Sequence, residues 1–85
     1  MKKWFHIERT NELVNISRVT ALRREDRKDW PAEDWTQLLD RLYPGLKDSV
    51  ADLEVWYLDF ASGDALYINK TEAEQFRTAT AEEWA

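Results

Sequence analysis

Apolar residues recur at two different spacings along the chain, and the two spacings predict strands in both halves with a helix between them. Alternating aromatic and branched residues predict strands at residues 3–8, 13–17, 53–60 and 65–69. Each pair of strands is separated by a short polar turn, so two β-hairpins are expected. Residues 20–23 continue either as a further strand or as a helical turn.

Between the hairpins, the apolar spacing changes to that of an amphipathic helix. Pro31 suits the first turn, and the acidic residues beside it match the positive end of the helix dipole. Pro44-Gly45 is expected to end this helix. Its apolar stripe consists of Trp35, Leu38, Leu39, Leu42 and Tyr43. Further on, Thr71 and Glu74 have the spacing of a capping box, which predicts a short C-terminal helix.

These elements predict a single α+β domain over residues 1–85. We expect an antiparallel sheet of four or five strands formed by the two hairpins. The central amphipathic helix is expected to pack on one face of this sheet, with the short helix at the C-terminus. A chain of 85 residues is typical of one domain with a small core.

Strand alternation assigns the apolar side chains to two faces of the expected sheet. Because one helix covers one face, we expect the central helix to pack on the larger set. That set is Phe5, Ile7, Val14, Ile16, Trp56, Leu58, Phe60, Leu66 and Ile68. The second face then carries a partly exposed, mainly aromatic group, namely Trp4, His6, Val55, Tyr57 and Tyr67.

Two interpretations of this second face remain open. A connected aromatic patch on a small domain often marks an interface, because Trp and Tyr are enriched at the centres of interfaces. Alternatively, the C-terminal segment with Phe76 and Trp84 folds over the patch. On the first interpretation the candidate partner-binding residues are Trp4, His6, Val55, Tyr57, Tyr67 and Trp84.

Charge is distributed unevenly along the chain and is acidic overall. Residues 1–28 carry eight Lys/Arg and four Asp/Glu, whereas residues 29–85 carry four and thirteen, so the net charges are +4 and −9. The total of −5 disfavours general nucleic-acid binding, which requires a basic face. An acidic chain instead suits a basic protein partner or mimicry of a polyanion.

Residue types that carry chemistry are sparse in this sequence. His6 is the sole histidine and cysteine is absent, so neither a metal site nor a nucleophile with an oriented base is expected. Only two glycines occur, and both fall in turns, so no phosphate-binding loop is expected. The sequence therefore predicts a protein that is not an enzyme and uses no cofactor or metal.

These observations favour a small cytoplasmic module that binds a protein. No segment is long and apolar enough to predict a membrane span or a signal peptide. An inhibitor or adaptor, bacterial or phage-encoded, fits the description, with an aromatic sheet face docking on a partner that is expected to be basic. The alternatives are a self-associating structural homodimer and a nucleic-acid binder or mimic.

Overall fold

The computed structural model describes residues 4–45 and 53–81 and has an α+β fold with antiparallel strands, as predicted. Its strands are β1 (Trp4–Ile7), β2 (Glu12–Asn15), β3 (Val19–Arg24), β4 (Val55–Phe60) and β5 (Ala65–Asn69). Its helices are α1 (Ala32–Leu42) and α2 (Lys70–Ala79). Short 3-10 turns at Ile16–Arg18 and Arg27–Asp29 precede and follow β3.

The five strands form two sheets, so the expectation of one sheet of four or five strands is wrong. β1 and β2 form a two-stranded antiparallel sheet, called here the N-terminal hairpin. β3, β4 and β5 form a three-stranded antiparallel sheet with β4 in the centre. Residues 20–23 therefore extend a strand, but that strand pairs with the second half of the chain and not with the first hairpin.

The 3-10 turn between β2 and β3 separates the two sheets. The Asn15 side chain accepts hydrogen bonds from the Ser17 backbone N–H (3.1 Å) and from its hydroxyl (2.7 Å), which stabilises this turn. After this turn, β3 does not pair with β2. It starts at Val19 and pairs with β4. A bulge in the β3–β4 register between Val19 and Ala21 bends the strand further.

The turns and helix ends agree with the predictions in most places. Asn11 adopts a left-handed φ of 55° in the β1–β2 turn, as expected for an Asn there. The C-terminal helix begins earlier than predicted, because its capping box is formed by Asn69 and Glu72 and not by Thr71 and Glu74.

Each helix covers a different face of the three-stranded sheet, and the prediction of which face lies under the central helix is wrong. The stripe of α1 packs on Val55 with Leu53 and Tyr67 at its margin. The opposite face, which includes Leu58 and Ile68, packs instead against α2 and the N-terminal hairpin. That larger core comprises Phe5, Ile7, Val14, Ile16, Val19, Leu58, Ile68, Ala73 and Phe76.

A partly buried ion pair and its neighbouring hydrogen bonds join the hairpin to both helices. The Arg9 guanidinium donates to both carboxylate oxygens of Glu72, at 3.0 and 3.1 Å, and to the carbonyl oxygen of Arg41 at 3.2 Å. Glu72 also accepts from the Asn69 backbone N–H, and the Asn69 side-chain amide donates to the carbonyl of Leu42. The turn that follows β1 is thereby fixed against the C-terminal end of α1 and the N-terminal end of α2.

Candidate functional site

The N-terminal hairpin has one buried face and one open face. In the strand register, Phe5 pairs with Val14 on the buried face, and both belong to the larger core. The neighbouring pairs, Trp4 with Asn15 and His6 with Leu13, project to the other side, because successive side chains of a strand point to opposite faces. These four residues are called here the hairpin face.

The hairpin face carries the two most exposed large apolar side chains in the described part of the chain. Trp4 is 55% exposed and Leu13 is 65% exposed. They lie on adjacent strands. Leu13 is two residues from Asn15, the direct partner of Trp4, so Trp4 and Leu13 are diagonal cross-strand neighbours. A Trp and a Leu held side by side in water are unfavourable to a free monomer and typical of a contact surface.

Two grooves flank the hairpin face, and Trp4 lines both. The first, called here the β2 groove, runs between the four residues of β2 and a wall formed by Phe60 and residues 64–66; Arg18 completes its lining. The second, called here the α2 groove, separates β1 from the outer side of α2, where Thr71, Gln75 and Thr78 lie. Opposite β2, the wall of the β2 groove contains the apolar side chains of Phe60 and Leu66, whereas the residues that α2 contributes to the α2 groove are mainly polar.

The charges around the two grooves are predominantly negative. Glu12 and Asp64 line the β2 groove, and Glu8 and Glu74 line the α2 groove. Among the described lining residues Arg18 is the one Lys or Arg, so their four carboxylates and one guanidinium give a net charge of −3. The surroundings of the hairpin face therefore attract cations.

His6 is held by a local hydrogen bond. Its Nε2 lies 2.9 Å from the Asn11 side-chain oxygen, across the turn of the same hairpin. The contact fixes the ring orientation on the open face, beside Leu13. His6 thus helps to shape the surface, and its hydrogen-bond partner is the amide side chain of Asn11.

Val55, Tyr57 and Tyr67, which were predicted to bind the partner, do not join Trp4 and His6. Val55 is completely buried beneath α1, so its assignment to an open face is wrong. Tyr57 and Tyr67 are half-buried on the three-stranded sheet, with ring centroids 5.9 Å apart. Trp84 lies outside the described residues.

Trp30 covers part of the sheet aromatics that were expected to be open. Its ring packs edge-on against Tyr67 at 5.5 Å and against Trp35 at 6.2 Å. This burial raises the pKa of the Tyr67 phenol above its ordinary value, with smaller contributions in the same direction from Glu25, Tyr57 and Asp59. Tyr67 thus lies at the margin of the smaller core, which is formed by the apolar stripe of α1 and Val55.

Three contributors to the site were missed by sequence reasoning. Leu13 was assigned only to a strand, although its position opposite His6 in a hairpin would have placed it on the same face as Trp4. Phe60 and Leu66 were expected under the central helix, but they are partly buried residues that line the β2 groove. No sequence signal indicates that groove, because it depends on how the two sheets meet.

Comparison with known proteins provides no family for the chain. No protein-family model matches it, and neither a curated protein nor a solved structure is significantly similar. Residues 4–45 and 53–81 contain no group of three or more acidic or histidine side chains arranged to hold a metal ion. Neither described helix has the length and apolar character needed to cross a bilayer.

Proposed function

We propose that this chain is a small, non-enzymatic protein-binding module of the inhibitor or adaptor type. It docks the hairpin face on a partner protein, with Trp4 and Leu13 as the central contacts. The observation that carries this proposal is that these two exposed apolar side chains lie on the same face of the hairpin, between two grooves. Exposed aromatic side chains of this kind supply much of the binding free energy in protein interfaces.

Rigidity of the face favours binding because little order has to be created on contact. The opposite side of the hairpin is anchored in the larger core, where Phe5 packs edge-on against Phe76 at 5.3 Å. Arg9 fixes the hairpin turn to Glu72. Trp4 and Leu13 are therefore presented by strands whose backbone is held in place, which lowers the entropic cost of docking.

The acidic surroundings favour a basic protein over a nucleic acid. With a net charge of −3 around the grooves, a phosphate backbone would be repelled, whereas Lys and Arg side chains of a partner would be attracted. The same charges oppose a symmetric dimer through this face, because a second copy would place the same negatively charged side chains opposite them.

Affinity purification with matched variants tests the proposal. The baits are the unmodified chain, the double variant Trp4→Ala/Leu13→Ser, and Tyr57→Ala as a control on the three-stranded sheet. We expect the double variant to lose at least tenfold of the recovered partner, since removal of a central aromatic contact commonly costs about 2 kcal/mol. Tyr57→Ala is expected to retain the partner, and circular dichroism verifies that each bait is folded.

Two results would contradict this placement of the interface. Loss of the partner with Tyr57→Ala, but not with the double variant, would assign binding to the three-stranded sheet. A chain that sediments as a dimer, and as a monomer once Trp4 and Leu13 are replaced, would make a second copy the occupant of the hairpin face.

A further inference from the structure

β2 is an edge strand that borders a groove along its whole length. Within residues 4–45 and 53–81, β2 pairs with β1 alone. Among the residues that the structure describes, no backbone hydrogen bond outside the regular elements involves β2. Since alternate residues of an antiparallel edge strand direct their N–H and C=O groups away from the partner strand, β2 presents a row of backbone donors and acceptors to the β2 groove.

The opposite wall of the β2 groove supplies apolar side chains. Phe60 and Leu66 lie there, together with Ala65 and the carboxylate of Asp64. A free strand edge beside an apolar wall is the arrangement used for strand addition, in which main-chain hydrogen bonds provide affinity and alternate side chains provide selectivity. A helix docked on this surface would leave the β2 backbone groups unpaired.

We propose that the β2 groove accepts an extended, basic segment of the partner protein as an added strand along the free edge of β2. This inference rests on the proposed function and specifies the form and chemistry of the partner. One set of alternating side chains of the added strand continues the hairpin face beside Leu13. The other set faces the wall that contains Phe60 and Leu66. Lys or Arg residues of the segment pair with Glu12 and Asp64, which line the same groove and outweigh the single positive charge of Arg18 there.

The α2 groove is less suited to the same segment. There the free edge of β1 faces Thr71, Glu74, Gln75 and Thr78 of α2, which are polar and exposed. An added strand in that position would bury these polar helix side chains, which is unfavourable, and Ala79 is the one apolar side chain that α2 contributes to the described lining. The two edges can be distinguished experimentally, because they belong to different strands.

A random dodecapeptide library displayed on phage, selected against the full chain, identifies a probe segment. We expect the selected peptides to carry a net positive charge with apolar residues at every second position. The best peptide is then synthesised with N-methyl groups on alternate residues in each of the two possible registers. Methylation that removes the donors aimed at β2 is expected to weaken binding about tenfold or more, while the other register leaves it within about twofold.

Hydrogen exchange of the bound chain locates the added strand. Alternate amides of β2 are expected to become protected when the peptide binds, while the amides of β1 keep their free-state exchange rates. Protection of β1 instead would place the segment in the α2 groove and overturn the proposal. Equal loss of affinity in both methylation registers, or a library that yields no peptides above background, would also overturn it.

A charge-matched pair of variants tests the basic character of the segment. Glu12→Gln/Asp64→Asn neutralises two carboxylates in the β2 groove, and Glu33→Gln/Asp40→Asn removes the same charge from exposed positions on α1. We expect the first pair to weaken peptide binding about fivefold in 50 mM salt and the second to change it less than twofold. Equal effects of the two pairs, or selection of acidic peptides, would refute the charge assignment.

Failure of this inference is separable from failure of the proposed function. If Trp4→Ala/Leu13→Ser abolishes recovery of the partner protein but no register dependence or β2 protection is found, the hairpin face binds a partner that does not add a strand. If the double variant retains both the partner and the peptide, the hairpin face itself is not the binding surface.

Discussion

The three-stranded sheet and the N-terminal hairpin have similar apolar content but differ in what covers them. α1 packs on one face of the three-stranded sheet and α2 with the hairpin on the other, so Val55 and Leu58 are both completely buried. The hairpin has only its inner face covered. Its outer face keeps Trp4 and Leu13 in water. The aromatic side chains of the three-stranded sheet are therefore at least partly covered, whereas Trp4 on the hairpin face is open to water.

This comparison explains why the sequence predicted an aromatic surface but placed part of it wrongly. Alternation shows which residues share a face of a strand, and it correctly separated Trp56 and Leu58 from Val55 and Tyr57. It does not show which helix lies on which face. That depends on the β2–β3 turn at Ile16–Arg18, which sends the chain into a second sheet.

The local elements were more predictable than their assembly. The apolar stripe of α1 follows from residue spacing, and the structure confirms it. The β2 groove could not be anticipated, because its two walls are separated by about 50 residues and meet only when both sheets form.

Replacement of Phe76 is expected to give the largest effect and contrasts most sharply with Trp4. Phe76 is completely buried between the hairpin and the three-stranded sheet, whereas Trp4 is exposed. Phe76→Ala should lower the free energy of unfolding by about 3–5 kcal/mol through lost contacts and a cavity. Trp4→Ala should change it by less than about 1 kcal/mol. Urea denaturation measures both, and a comparable loss in both variants would show that Trp4 belongs to the core.

Removal of Glu72 tests whether the hairpin is firmly attached. Glu72→Ala leaves Arg9 without its bidentate partner and removes the half of the α2 capping box in which the Asn69 backbone N–H donates to the Glu72 carboxylate, so a loss of about 2 kcal/mol is expected. The matched control is Asp59→Ala, which breaks the more exposed pair with Arg23 and should cost less than about 1 kcal/mol. Equal losses in chemical denaturation would mean that the Arg9 contact does not anchor the hairpin.

High pH probes the margin of the smaller core. The pKa of the Tyr43 phenol is raised, mainly by burial, while its hydroxyl donates to the Glu54 carbonyl and accepts from the Lys70 N–H. The unfolded chain loses this proton first, at its ordinary pKa of about 10, so stability is present below that pH and falls as pH rises through the higher folded pKa.

Tyr43→Phe should therefore reduce this alkaline decline and cost about 1 kcal/mol at neutral pH through the lost hydrogen bonds. Denaturation curves between pH 8 and pH 11 measure both quantities. An unchanged alkaline slope would assign the decline to other groups, such as Tyr67, whose pKa is also raised by burial.

Fluorine NMR of the chain labelled with 5-fluorotryptophan tests the central contrast most directly. Each resonance is assigned by replacing one Trp with Phe, and its shift is compared in H2O and D2O, which reports contact of the ring with solvent. The account predicts a clear solvent shift for Trp4, which is 55% exposed, and almost none for Trp35, which is 5% exposed. A Trp4 resonance as insensitive to solvent as that of Trp35 would contradict an open hairpin face.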